Sequence, residues 1–388
     1  MILLKNCRLI SELTEGYSGE SADIIIEGEF IKEIRAPGCK TPLSYEVIDL
    51  KNATLMPGLF DLHAHLGCFS QRSAEILVKA PLESAFLAYS FAKSYLKQGY
   101  TTVRDCGSNY YTAVAVREAI NNGIVPGPRI LTSGLIITPT ETGNDTYGPL
   151  YTEADGKDEV LRACRGEFKN GADFIKYMAS GAFLNKGGDP GQTIVTFDEL
   201  RTAAEFAKSK NSYVAAHAHG ADAVKLCIKA GVRTIEHASF IDDAGIEMLK
   251  QTKDCYIIPT IAIIKTLRDE SKAHLTRLRT AYDSGIELGW GSDLDHENFD
   301  MHPGFEFSAR KELLGFDNID MLKQATIYSA RCIGLEDKLG TIKENKIADL
   351  IAVRGNPDED ISVMEKELLL VMKGGARIIA LAGEANLS

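Results

Sequence analysis

The stretch Ala221-Asp-Ala-Val-Lys-Leu-Cys-Ile-Lys-Ala230, then Gly231, then Thr234-Ile-Glu-His237, decides how the chain is read. It runs from amphipathic helix through a glycine turn to a short apolar strand that ends on a histidine. The same order recurs on both sides. Asp158 to Asn170 leads through Gly171 to Phe174-Ile-Lys-Tyr-Met178, and Phe197 to Lys210 leads to Tyr213-Val-Ala-Ala-His217. Asp243 to Lys250 leads to Tyr256-Ile-Ile-Pro-Thr260, and Leu267 to Ser284 leads through Gly285 to Glu287-Leu-Gly-Trp-Gly-Ser-Asp293. Earlier, Ala74 to Lys97 reads as a helix broken at Gly99 before Thr101-Thr-Val-Arg-Asp105. Helix and strand alternating in this way mean a parallel sheet. Leu55 to His65 and Arg129 to Ser133 bring the strands to eight, the number that closes a (β/α)8 TIM barrel. The rival is an open doubly wound sheet, but its G-x-G-x-x-G turn after the first strand is absent.

Outside this region the pattern changes. Ile2 to Leu4, Asp23 to Glu27, Phe30 to Ile34 and Glu46 to Leu50 are short strands punctuated by Gly16, Gly19, Gly28, Pro37 and Gly38. The far end is similar, with Gly340-Thr-Ile, Ala348 to Val353 and Leu368 to Met372. Neither piece can bury two sheet faces alone, so residues 1–57 and 340–388 are expected to pair as a small β-sandwich flanking a barrel of residues 58–339.

The 388 residues carry 43 Lys+Arg against 54 Asp+Glu, a net charge of −11. That balance argues against a general nucleic-acid binder, which needs clustered cations for phosphates. No apolar run is long enough to span a membrane, and Met1-Ile-Leu-Leu-Lys5 does not open a signal peptide. The closest of the eight cysteines are 28 residues apart, so no CxxC motif exists, and scattered reduced thiols in a cytoplasmic protein are expected.

His63 and His65, Asp105, Lys176, His217 and His219, His237 and Asp293 all fall at or near C-terminal ends of strands. A barrel gathers those ends on one face, where its active site lies. The i, i+2 spacing in His63-Ala64-His65 turns both imidazoles to one side of a strand, toward a single ion. One such pair is a weak signal. Five of eight histidines at matching ends of three strands is a strong one.

Lys176 sits in an apolar strand, where an unpaired ammonium is costly to bury. Three resolutions are open: a Schiff-base lysine, an ion pair with Asp105 or Asp293, or addition of CO2 to give a carbamate that bridges two metals. The surrounding histidines favour the carbamate, because a metal site attracts an anion. Asp293 can cap a following helix or serve as the base that moves a proton from water to leaving group.

Met56-Pro-Gly-Leu-Phe-Asp-Leu-His-Ala-His65, Gly99-Tyr-Thr-Thr-Val-Arg-Asp105, Phe174-Ile-Lys176, Ala216-His-Ala-His-Gly220, Ile235-Glu-His237 and Gly291-Ser-Asp293 together resemble the amidohydrolase superfamily. The tail from Gly340 to Ile351 resembles it too, so the likeness covers essentially the whole chain. The resemblance implies a hydrolase with two divalent ions, usually zinc. His63, His65 and Asp293 would hold one ion and His217 and His237 the other, with carboxylated Lys176 bridging both. A hydroxide between the ions would attack the amide, with Asp293 as proton shuttle, and His219 would face the substrate. The family tends to assemble, so a homo-oligomer is expected, with a small-molecule substrate and no nucleic-acid or membrane partner.

His217-Ala-His-Gly220, Ile235-Glu-His-Ala-Ser239, Gly187-Gly-Asp-Pro-Gly191 and Gly355-Asn-Pro357 are most similar to the prolidase-like, imidazolonepropionase-related group. That group includes zinc carboxypeptidases releasing Arg or Lys. Many relatives carry a histidine in the loop after strand 3. Here Thr138-Pro-Thr-Glu-Thr-Gly-Asn-Asp145 has none, so Thr140 or Asn144, with Tyr177, is expected to meet the substrate. Three loops are acidic: Glu141, Asp145, Glu153 and Asp155; Asp189, Asp198 and Glu199 against Lys186; and Asp295, Glu297, Asp300 and Glu306. A solvated rim explains them, and so does an acidic mouth for dipeptides or acyl derivatives ending in Arg or Lys. The alternatives are a cyclic-amide hydrolase resembling imidazolonepropionase and an Xaa-Pro dipeptidase; a metal-free scaffold and a Schiff-base enzyme are the rivals of other classes.

Overall fold

The computed structural model describes residues 1–40, 42–68, 81–183, 185, 187–266, 272–294 and 304–379. Two compact units emerge: Met1–Phe60 with Lys93–Thr102 and His302–Ser388, and Asp61–Ala92 with Val103–Met301.

The first unit holds the terminal β-sandwich. Its strands run in the order Ala376–Ile379, Leu370–Lys373, Leu350–Val353, Thr54–Pro57, Ile2–Leu9, Ser21–Glu27, Phe30–Arg35, and Glu46–Asp49 also pairs with Ile2–Leu9. Alternation makes the core: Ile24 and Ile26, Leu350 and Ala352, Leu370 and Met372 turn to one buried side with Leu4, Leu9 and Leu55. Leu350–Val353 lies antiparallel to Thr54–Pro57, so the two ends of the chain share one sheet.

The eight barrel strands close a ring; residues 59–60 and 100–102 of its first two strands are grouped with the first unit and the rest with the second. Leu59–Ala64, Tyr100–Asp105 and Arg129–Thr132 lie side by side. Asp173 N donates to Thr132 O at 2.8 Å, linking the third strand to Ile175–Met178. Val214–Ala218, Thr234–His237 and Tyr256–Ile258 follow in parallel. Single bridges add the eighth segment, Leu288 beside Ile257 and Gly291 beside Thr260. Leu62 N then donates to Trp290 O at 2.8 Å and Asp293 N to His63 O at 2.9 Å, which returns the ring to its first strand.

The helices between strands have local causes. Thr196 and Glu199 form a capping box at the start of Phe197–Ser209, and Asp242 caps Asp243–Gln251. Gly231, at φ 86, ends Ala221–Ala230 in a conformation that a side chain would resist. The expected helices from Ala74 and from Leu267 are described as Pro81–Lys97 and Lys272–Asp283; residues 74–80 and 267–271 lie outside the described residues. Among the described residues no helix is long and apolar enough to cross a membrane.

One element differs from its sequence reading. Leu55 to His65 is two strands, Thr54–Pro57 in the sandwich and Leu59–Ala64 in the barrel. Gly58 divides them where a Cβ would strike the Thr101 side chain, so only glycine lets the chain pass that close.

Candidate active site

Strand ends bring His63, His65, Lys176, His217, His219, His237 and Asp293 around one cleft, which encloses about 780 Å³, part of it open to solvent. The imidazoles form a connected set. Ring centroids are 5.3 Å apart for His63 and His65, 4.7 Å for His63 and His237, and 4.7 Å for His217 and His237. His219 lies 4.5 Å from His217 and 4.6 Å from His237.

Each histidine has one nitrogen engaged from outside the cleft. His63 Nδ1 meets Glu236 Oε2 at 2.8 Å, and His65 Nδ1 meets Gly107 O at 2.9 Å. His237 Nδ1 meets Thr260 Oγ1 and His219 Nδ1 meets Ser239 Oγ, both at 2.8 Å, while His217 uses Nε2 against Gly181 O at 3.1 Å. Such a bond fixes the ring and leaves the other nitrogen to act as a ligand. His63 Nε2 and His65 Nε2 lie 3.7 and 3.6 Å from Asp293 Oδ1. Among the described residues candidate ligand atoms converge in three groups: His63 with His65 and Asp293, and His217 with His219 and His237, around the cleft, and His63 with Cys106 and Glu236 below it.

Electrostatics keeps these rings neutral. Burial, and behind it the charge of Lys176, holds His65 down to about 4 and His217 down to about 3. His63, His219 and His237 lie well below the ordinary imidazole range, burial again being the main cause. A neutral imidazole is the form that binds a metal.

Lys176 is 2% exposed and its Nζ has no hydrogen-bond partner. An ammonium held in that position without a partner costs on the order of several kcal/mol. Asp105, weighed as its ion-pair partner, is occupied elsewhere: it accepts from Ser108 Oγ at 2.6 Å, Thr132 Oγ1 at 2.7 Å and Leu66 N at 2.8 Å. Burial pushes the Asp105 carboxyl up to about 6 against those bonds. An orphaned amine among neutral imidazoles and a carboxylate is a donor set that fits two divalent cations once the amine is converted to an anion.

His237 at φ 69 and Asp293 at φ 54 hold left-handed backbone conformations that cost a non-glycine residue free energy. Asp61 secures the second of them. It accepts from His63 N at 3.0 Å, Ser292 N at 3.1 Å and Ser292 Oγ at 2.6 Å, tying the first strand to the turn that presents Asp293.

Two residues with no assigned role in the sequence reading support the site from below. Glu236 lies between His63 and Arg104, whose Nη2 donates to Oε1 at 2.6 Å. Arg104 also donates to Leu62 O at 2.6 Å and Thr234 Oγ1 at 2.7 Å, inside the barrel. Both stood within quoted motifs, but only their buried pairing reveals their part.

Three expected substrate contacts do not line the cleft. Tyr177 is buried on the opposite strand face from Lys176, near Glu199 and Cys164, because strand alternation turns it toward the helices. Thr140 is exposed and bonded to Asp155, and Asn144 donates to Pro139 O and Glu153. The acidic loops are largely self-satisfied. Glu141 accepts from Thr142 N, Asp189 from Gly191 N and Glu199 from its capping box, Asp198 pairs with Lys157, and Glu306 with Arg310. Lys186, Asp295, Glu297 and Asp300 lie outside the described residues. Among the described residues, Asp293 is the one carboxylate that lines the cleft.

Comparison with known proteins agrees with this architecture. The model of the amidohydrolase family matches residues 54–378. An ochratoxinase of Aspergillus niger is 29% identical over 371 residues, covering 83% of this chain and 75% of the relative. A solved Xaa-Pro dipeptidase with bound methionine in its active site is 31% identical, with a TM-score of 0.85, over 97% of this chain and 99% of that one. A solved prolidase complexed with N-methylphosphonate-L-proline is 28% identical, with a TM-score of 0.86, over 98% and 99%. The chain belongs to the amidohydrolase family.

Proposed function

We propose that this amidohydrolase-family chain is a metal-dependent amide hydrolase acting on dipeptides or N-acyl amino acids. The observation that carries the reading is Lys176 Nζ, buried without a partner among neutral imidazoles and Asp293, in a cleft roomy enough for a small molecule. The amino-acid end of the substrate is supported by the two solved relatives, which hold methionine and a phosphonate of proline.

In this reading His63, His65 and Asp293 would hold one ion and His217 and His237 the other, with Lys176, as a carbamate, serving as a ligand shared by both. Imidazole and carboxylate ligands suit zinc, and also manganese, iron or cobalt. When bound, such a pair supplies a water acidified to near neutral pH and a polarised carbonyl. The carbamate would form when the ammonium gives one proton to solvent, the freed Nζ lone pair bonds to the carbon of CO2, and a second proton leaves the nitrogen, so that a buried cation becomes an anion. Asp293 then takes the proton of the attacking water and returns it to the amine nitrogen as the C–N bond breaks, giving one acid and one amine. His219, with Nδ1 held by Ser239, keeps Nε2 for the substrate carbonyl or carboxylate.

A C-terminal Arg or Lys remains the narrower version of this reading, and the local bonding of the acidic loops weighs against it. Cyclic amides and Xaa-Pro dipeptides are the other substrates the same parts can serve. Eight free thiols, seven of them buried, support a reducing cytoplasmic setting. The deciding experiment offers metal-loaded protein dipeptides, Xaa-Pro dipeptides, N-acyl amino acids and cyclic amides, and scores released amino acid alongside bound metal. Turnover of linear amides, lost with a chelator, is expected; ring opening alone would reassign the substrate.

A further inference from the structure

The cleft has two unlike sides. One carries the imidazoles, Lys176 and Asp293. The other is a wall of Cys68, Ile136, Tyr147, Leu150 and Met178, which pack together as one buried apolar cluster backed by Tyr151, Ala182 and Ile194. At its edge Phe183 is 41% exposed, its ring 4.8 Å from that of His219 and 5.2 Å from that of His274. Among the described residues, no carboxylate and no cation lines the cleft outside the polar side. A guanidinium or carboxylate laid against that wall would lose its hydration and find no partner, whereas an apolar side chain would lose only unfavourable contact with water.

We infer that this wall is the side-chain subsite, and that a residue flanking the scissile amide carries an aromatic or long aliphatic side chain. The inference rests on the amide-hydrolase reading and adds to it which side chain the site takes. It replaces the cationic preference expected from the acidic loops, because Glu141, Glu153, Asp155, Asp189, Asp198 and Glu199 have bonds of their own and the cleft wall is apolar.

The test uses metal-loaded protein and two matched series, N-acetyl-Xaa and Xaa-Gly, with Xaa as Phe, Leu, Arg or Glu. In at least one series Phe and Leu should exceed Arg and Glu by roughly tenfold or more in kcat/KM, the discrimination typical of an apolar pocket. Arg or Glu equal to or above Phe in both series overturns the subsite while leaving amide hydrolysis standing. If no amide is cleaved, the hydrolase reading fails separately, and calorimetry with phosphonate analogues bearing Phe or Arg then reads the wall directly. Tighter binding of the Phe analogue supports it, and equal or tighter binding of the Arg analogue overturns it. Leu150→Asp should shift the ranking toward Arg. Should that variant not fold, Leu150→Ala should narrow the Phe-to-Arg ratio, and an unchanged ratio in folded protein overturns the assignment.

Discussion

His63 Nδ1 lies 2.8 Å from Oε2 of Glu236, and both side chains are almost wholly withdrawn from solvent. With a carboxylate as acceptor, Nδ1 carries the proton and Nε2 presents its lone pair to Asp293 and the cleft. Glu236→Gln should reverse this. Its oxygen can keep the bond from Arg104, leaving its amide to donate to Nδ1 and push the imidazole proton onto Nε2. Metal affinity at the His63 position is expected to fall by about 10- to 100-fold. Arg104 would lose its charge partner in the interior, so stability should fall too, on the order of 3–5 kcal/mol. Metal stoichiometry and a denaturant midpoint on the same sample check both. Unchanged metal binding would show that Glu236 serves only Arg104.

Lys176 gives a second expectation. If the amine is carboxylated, protein stripped of metal and CO2 should recover activity only when metal and bicarbonate return together, with a mass gain of one CO2 under native conditions. Lys176→Ala should be inactive and partly restored by a short carboxylic acid that fills the vacated space. Full recovery with metal alone, in bicarbonate-free buffer, would show that the unmodified lysine suffices.

The parts of this fold that sequence revealed are those with local causes. Helix, glycine and strand repeat in order because each unit packs on the last, and the strand ends carry the site because a parallel barrel leaves them on one face. Tyr177 follows from the same pattern: the period-two alternation within Phe174 to Met178 that turns Lys176 inward turns Tyr177 outward, away from the substrate contact expected of it. Gly58 and Glu236 were not legible, since each depends on a distant neighbour. Gly58 yields to Thr101, and Glu236 meets an Arg104 that lies 132 residues away. The missing histidine points to Thr140 and Asn144, but the Thr140 hydroxyl is bonded to Asp155 and the Asn144 Nδ2 to Glu153 in the same loop.

Glu167 sets an expectation for pH. Burial pushes its carboxyl up to about 7 from an ordinary 4.5, although Leu135 N donates to it at 2.9 Å. The folded protein therefore holds a proton there that the unfolded chain releases between those two values. The contribution to stability is fully present below about pH 4.5, declines as pH rises through 7, and is gone above it. Denaturant midpoints measured from pH 5 to pH 8 (roughly that span) should fall less steeply in Glu167→Gln than in the parent. Parallel slopes in the two proteins would show that other groups govern this range.

Asp293 is the residue on which turnover should depend most. Its φ of 54 is a conformation that asparagine adopts at least as readily as aspartate, so Asp293→Asn should keep both the backbone turn and the thermal midpoint. The bond from Asp293 N to His63 O is retained, because the main chain makes it. What disappears is a carboxylate able to take a proton from water and hand it to the leaving amine. Groups in that role contribute about 100- to 10,000-fold, and kcat should fall within that range. Metal analysis separates this from loss of a ligand: ions retained and kcat collapsed identify the proton shuttle, whereas a matching loss of metal identifies a ligand first. A variant with bound metal and near-normal kcat would move the proton to another group in the cleft, with His219 the next to test.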